Sequence, residues 1–289
     1  VNAAFRFGAV VLLTVALGVG ASANSTIGRA RPHGCSEQWA NARGPAGLAP
    51  SGPMLSMKRT EVVDSFDGPA GAPPNSDTWT VIEGTGWDRG DQNYTPDNAV
   101  LDGQGNLMLR AVKTDTGYAS GRIETRRKSS FGYGTLIARI KMPAGAGLWP
   151  AFWLLGADED RNPWPEAGEI DVVEVVSDPW KAYTSLHGPI PGVSDYLQSQ
   201  IITEGTDLSA DFHNYWVIHE EDRITVGIDD TAWGVFTPDM LPPDAQWVYN
   251  KPFCLIFNLA VGGDWAGPPD DSTEFPAVML VDWVHWEPA

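Results

Sequence analysis

Basic residues are scarce in this chain: 19 Lys and Arg stand against 37 Asp and Glu, a formal net charge of −18. So acidic a surface is repelled by nucleic acid and by anionic membranes, which excludes both as partners. Cysteine is scarcer still, with only Cys35 and Cys254. No Cys closely follows the apolar N-terminal run, so lipid attachment there is excluded. Export would permit a Cys35–Cys254 disulfide, and the sequence leaves that pairing open. Also missing are a sustained helical period, an internal repeat, a Gly-rich phosphate loop and a Ser-based nucleophile motif. His213 and His219 lie six apart on a presumed strand and "HEED" lacks the second His of a zinc-protease helix, so neither makes a metal pair.

What is present is apolar, aromatic and punctuated. Hydrophobic residues make up 43% of the 289, enough for a core rather than a disordered chain. The N-terminal "FRFGAVVLLTVALGVGASA" has one Arg, an apolar run and a small-residue site at Ala21-Ser22-Ala23, which predicts a signal peptide over 1–23 and a secreted protein with no membrane attachment after cleavage. A Gly/Ala/Pro-rich arm or linker follows over 24–59. From 60 to 289 short alternating runs separated by Gly and Pro read as one domain of strands. "NAVLDGQGNLMLRAV" predicts a hairpin, "GTLIARIKMP" alternates Leu136, Ala138 and Ile140 against Ile137, Arg139 and Lys141, and "NYWVIHEEDRITVGIDD" predicts two strands about an acidic turn. "PFCLIFNLAVGG" and "VMLVDWVHWEP" add two more. The fold class is all-β, a two-sheet antiparallel sandwich or jelly roll. The 13 Trp suit either a core rich in indoles or a cleft that stacks on sugar rings.

The stretch "GEIDVVEVV" sets three carboxylates in a β-branched run, a costly arrangement unless they are paired or used. Glu169 and Asp171 are two apart and share a face of a strand. Glu174 lies three beyond Asp171 and would face away, unless one β-bulge lets Val172 and Val173 fill a single step. On that reading all three acids line up. Like charges in one site push pKa values apart, which gives a carboxylate beside a carboxylic acid, the pair that glycosidic hydrolysis needs. A Ca²⁺ site is the competing reading of the same acids. A solvated edge strand fits poorly with Ile170, Val172, Val173, Val175 and Val176.

"GEIDVVE" resembles the E-x-D-x-x-E signature of glycoside hydrolase family 16, in the bulged form of its laminarinase-like members. "SGRIETRRKSSFGYGTLIARIKMPAGAGLWPAFWLLG", "WPEAGEID", "TSLHGP" and "FNLAVGGDWAGPP…FPAVMLVDWVHWEP" are similar to the family's segments in the family's order, from about Val63 to the end. The resemblance implies a jelly roll with an open cleft on its concave sheet and a retaining endo-glycanase acting on a β-linked polysaccharide. It implies Glu169 as nucleophile, Glu174 as general acid/base and Asp171 as the acid that tunes the nucleophile. Trp149, Trp153, Trp164 and Trp265 are expected along the cleft, with His187 near the acid/base and Asn98 on sugar hydroxyls. It implies no cofactor for catalysis. A structural Ca²⁺ is expected on the convex side at Asp282, and a monomer is expected in solution. The subgroup favours β-1,3-glucan. Mixed-linkage glucan, agarose and carrageenan remain alternative substrates, transglycosylation an alternative outcome, and glucan binding without turnover an alternative function.

Overall fold

The computed structural model describes residues 61–86, 88–192 and 196–289. The expected signal peptide and arm, with Cys35, lie outside the described residues. Among the described residues the chain forms strands β1 (Glu61–Asp64), β2 (Thr80–Val81), β3 (Gln92–Tyr94), β4 (Ala99–Leu101), β5 (Leu107–Thr114), β6 (Gly117–Ser120), β7 (Arg122–Glu124), β8 (Gly134–Lys141) and β9 (Leu148–Gly156). They continue with β10 (Glu169–Glu174), β11 (Lys181–His187), β12 (Leu197–Glu204), β13 (His213–Glu220), β14 (Arg223–Ile228), β15 (Thr231–Phe236), β16 (Phe253–Val261) and β17 (Ala277–Pro288). A one-turn helix, α1 (Gly263–Ala266), precedes β17.

Two sheets result. One runs β12-β11-β10-β9-β16-β7-β2 and is antiparallel throughout. The other runs β15-β14-β13-β8-β17-β5-β6-β3, with β1 added on β17 and β4 on β5. Its β3–β6 pair is parallel, the one departure from the expected antiparallel pattern among the described strands. The expected hairpin appears as β4–β5, with Ala99 opposite Leu109. The expected alternation of β8 also holds, as Leu136, Ala138 and Ile140 enter the core between the sheets.

Phe152 and Phe257 meet at 5.2 Å in that core, and Trp79, 2% exposed, packs on Phe257 at 5.8 Å. Trp79 is therefore a core indole. Trp216 covers the outer side of the larger sheet above Gly227, where a Cβ would fall 1.9 Å from the indole ring. Cys254 is buried in β16, and burial pushes its thiol up to about 11.

Candidate active site

β10 runs through the middle of the smaller sheet between β9 and β11. Its register carries the bulge that the acid spacing predicts. Asp171 lies opposite Trp153 and Val173 opposite Phe152, so Val172 is the extra residue. On the other side Asp171 faces Ser185 and Glu174 faces Tyr183, three residues against two. Ile170, Val172 and Val173 all go to the core. Glu169, Asp171 and Glu174 are left on the opposite face.

β11 supplies the groups that meet them. His187, opposite Glu169 in the register, brings Nε2 to 3.1 Å from Asp171 Oδ2 and 3.8 Å from Glu169 Oε1. Glu174 accepts from Trp149 Nε1 at 3.0 Å and, more weakly, from Ser185 Oγ at 3.4 Å. Gln200 on β12 donates to that Ser185 hydroxyl at 3.1 Å. Asp171 and Glu174 are 3% and 6% exposed.

Burial with so few cations decides the protonation. Burial first, and then the charge of Asp171, push Glu169 up to about 8 against the pull of His187. Burial raises Asp171 too, while its hydrogen bond with Glu169 works the other way. A hydrogen bond between two carboxyls needs one proton, so the Glu169–Asp171 pair shares it and one of the two stays ionised. Glu174 stands well above the usual carboxylate range through burial and the charge of Asp171, opposed by His187 and the Trp149 N–H. The row can therefore hold a carboxylate at one end and a proton-bearing carboxyl at the other.

Aromatic rings flank the row at both ends. Trp164, joined by a cis peptide to Pro165, sits edge-on to Tyr196 at 5.0 Å and 6.4 Å from the His187 ring. Trp265 on α1 is 42% exposed and stands edge-on to Trp149 at 4.9 Å and to Tyr183 at 5.0 Å. Trp153, opposite Asp171, donates to Asn258 at 2.7 Å, and Arg122 lies over its ring at 5.0 Å.

A profile described as Glycosyl hydrolases family 16 matches residues 87–285. This chain belongs to that family. Among solved structures, the family 16 hydrolase overlays on the endo-beta-1,3-glucanase of Pyrococcus furiosus with a TM-score of 0.72 and 33% identity, covering 80% of this chain and 95% of that one. It is 34% identical to the "Beta-glucanase" of Rhodothermus marinus over 73% of this chain and 79% of the relative. It is also 34% identical to "Glucan endo-1,3-beta-glucosidase A1" of Niallia circulans over 58% of this chain, and spans only 26% of that longer protein. The fold is the jelly roll of those neighbours, and the chemistry is glycoside hydrolysis.

The structure gathers Trp149, Trp153, Trp164, Trp265 and His187 around the three acids of the hydrolase. Asn98 lies in the short turn Pro96–Asn98. It is 5% exposed, and its amide donates to Thr95 Oγ1 at 2.8 Å. On the acid face the amide that bonds an indole belongs to Asn258. Asn258 also donates to Tyr94 at 3.2 Å, and Tyr94 donates to Asp88 at 2.6 Å. Asp88 pairs with Arg122, which also pairs with Glu124. This buried polar strip went unread in the sequence. Its signal was Asn258 itself, the polar residue within the apolar run "FCLIFNLAV".

Two places bear on metals. Single ligand atoms of Glu169, Asp171 and His187 lie within 4.8 Å of one another. One imidazole and two carboxylates fall short of the six to eight oxygens that Ca²⁺ takes. Asp282, the expected Ca²⁺ ligand, sits at a register shift in β17 and pairs with Arg139 at 2.5 Å. A cation there would compete with a guanidinium.

Proposed function

We propose that this family 16 hydrolase is a secreted, monomeric, endo-acting β-1,3-glucanase that retains anomeric configuration by double displacement. The observation that carries this reading is the bulge-aligned row Glu169–Asp171–Glu174, with a Trp149 N–H on Glu174 and His187 beside Asp171. Glu169 attacks the anomeric carbon as Glu174 gives its proton to the leaving oxygen. Once Glu169 is esterified its charge is gone. The pKa of Glu174 then falls, and Glu174 takes a proton from the water that releases the sugar. Asp171 holds Glu169 by their shared hydrogen bond throughout. The flanking Trp164 and Trp265 suit pyranose faces on either side of the row. The names of the relatives support a β-glucan substrate, and a net charge of −18 disfavours sulfated galactans. Export rests on the segment 1–23.

The test is reducing-sugar release from laminarin, mixed-linkage glucan, agarose and carrageenan, with Glu169→Gln as the blank and the first-formed anomer read by NMR. Release from laminarin with the β-anomer first is expected. If only a galactan is cut, the substrate assignment fails; if the α-anomer appears first, double displacement fails. Laminarin binding with no release from any of the four would move the protein to the glucan-binding class.

A further inference from the structure

A second aromatic site lies at the open side of the sandwich. Along β11, Tyr183, Ser185 and His187 face the acids, so Ala182 faces the other way. Ala182 lines a groove between the edges of the two sheets, with a volume of about 150 Å³. Trp180 and Trp233 stand in it, with Thr203, Thr206, Thr231 and Asp229.

Both indoles are placed there by identifiable devices. Trp180 is 52% exposed, more than any other large apolar side chain among the described residues. Its backbone is nonetheless fixed, because its N–H donates to Asp178 Oδ1 at 3.0 Å and its carbonyl accepts from Gly205 at 3.1 Å. Trp233 is the extra residue of a bulge in β15, where Gly234 pairs with Val226 and Ala232 with Gly227. The bulge turns Trp233 out of the alternation and into the groove. Its Nε1 is buried without a hydrogen-bond partner, and an unmet buried donor favours a ligand that brings an acceptor.

The lining selects the ligand. No Lys or Arg lines the groove among the described residues, so nothing there recognises an anion. Two carboxylates line the groove, and both have partners: Asp229 is held by His213 at 2.7 Å and by the Asn214 N–H at 2.9 Å, and Glu204 pairs with Lys181 at 2.8 Å. Flat indoles and threonine hydroxyls match a neutral polyhydroxylated ring. We infer that this groove is a second, non-catalytic binding site for a neutral glucan chain, seating one sugar ring beside Trp233 while the chain runs over Trp180. It rests on the β-glucan reading above. A second site at the sheet edges, apart from the acid row, would hold the hydrolase on a solid polysaccharide while the cleft works.

The experiment is an NMR titration of the Glu169→Gln protein with laminarihexaose, read at the indole N–H signals of Trp149 in the cleft and Trp233 in the groove. Both signals are expected to move. Trp180→Ala is expected to weaken the Trp233 response about tenfold, as loss of one stacking ring would, with Trp149 responding as before. On insoluble β-1,3-glucan the same variant of the active enzyme is expected to bind about tenfold less tightly, with kcat/KM on the soluble oligosaccharide unchanged. Movement of Trp149 alone, or an unaltered Trp233 response in Trp180→Ala, overturns the groove and leaves the glucan reading standing. If neither indole moves, both fall. The Trp149 signal also reports the fold of each variant.

Discussion

Two acid triplets lie close together in the sequence, with nine positions from Asp160 to Glu169, and behave in opposite ways. Asp158, Glu159 and Asp160 follow β9 at the surface, where Lys251 reaches Asp158 at 2.9 Å, Arg126 reaches Glu159 at 2.8 Å, and Arg126 and Arg127 both reach Asp160. Hydrogen bonds from the two arginines hold Asp160 well below the usual carboxylate range, and Lys251 helps lower Asp158. On β10 Asp171 and Glu174 are buried and Glu169 is half-buried, with one imidazole beside them, and all three are pushed up. The residue types are alike. The supply of cations and water separates acids that stay ionised and fasten a loop from acids whose protons are held more tightly.

The sharpest way to break this contrast is to neutralise the buried row. Glu169→Gln and Glu174→Gln should each lower kcat by roughly 10³-fold or more, measured as reducing-sugar release. Trp149→Phe removes the indole N–H that bonds Glu174, and one hydrogen bond to a charged group is worth about 1.5–3 kcal/mol. Its kcat should fall roughly tenfold or more. That N–H favours the ionised form, so its loss should also move the alkaline limb of the pH–rate profile to higher pH.

Stability against pH sharpens the contrast, because the two triplets slope in opposite directions. Glu169 is raised from an ordinary 4.5 to about 8, so the folded state holds its proton more tightly than the unfolded chain. The stability this lends is full below about pH 4.5 and is lost as pH rises through about 8. Glu169→Gln should therefore melt higher than the parent at pH 8 and close to it at pH 4. Asp160 is lowered from 3.8, so its contribution is present above that pH and is lost on acidification. Arg127→Ala should melt slightly lower than the parent at neutral pH, with the gap closing below about pH 3.8, since Arg126 still pairs with Asp160. The smallest effect concerns Asp282. With Arg139 on its carboxylate, the melting midpoint should be the same with and without chelator, and a fall on chelation would restore calcium to that position.

The fold was legible because its strands alternate. β8 and the β4–β5 hairpin could be placed from residue order alone, since side-chain period and turn chemistry are local. The acid row was legible for the same reason, its one irregularity being the spacing that called for a bulge. The indoles were harder. Trp79, Trp149 and Trp216 look alike in sequence and end in the core, beside Glu174 and on the outer sheet, because the destination of an indole depends on which strand comes to lie across from it. Arg122, Asp88 and Tyr94 went unread because their network joins segments up to 170 residues apart at Asn258. The amide that bonds the acid-face indole Trp153 comes from Asn258 on β16.

The bulge at Val172 and Val173 also governs how this strand tolerates changes in length. An odd insertion in a regular strand turns every later side chain to the opposite face. Here the added valine stays with its neighbour on the core side, so the inversion cancels within one step. Removing one of the two valines would leave glutamate, aspartate and glutamate at even spacing and still on one face, displaced along the strand but not turned. Removing Ile170 would separate Glu169 from the other two acids. The strand is thus open to genetic drift in length at one position and closed to it two residues earlier.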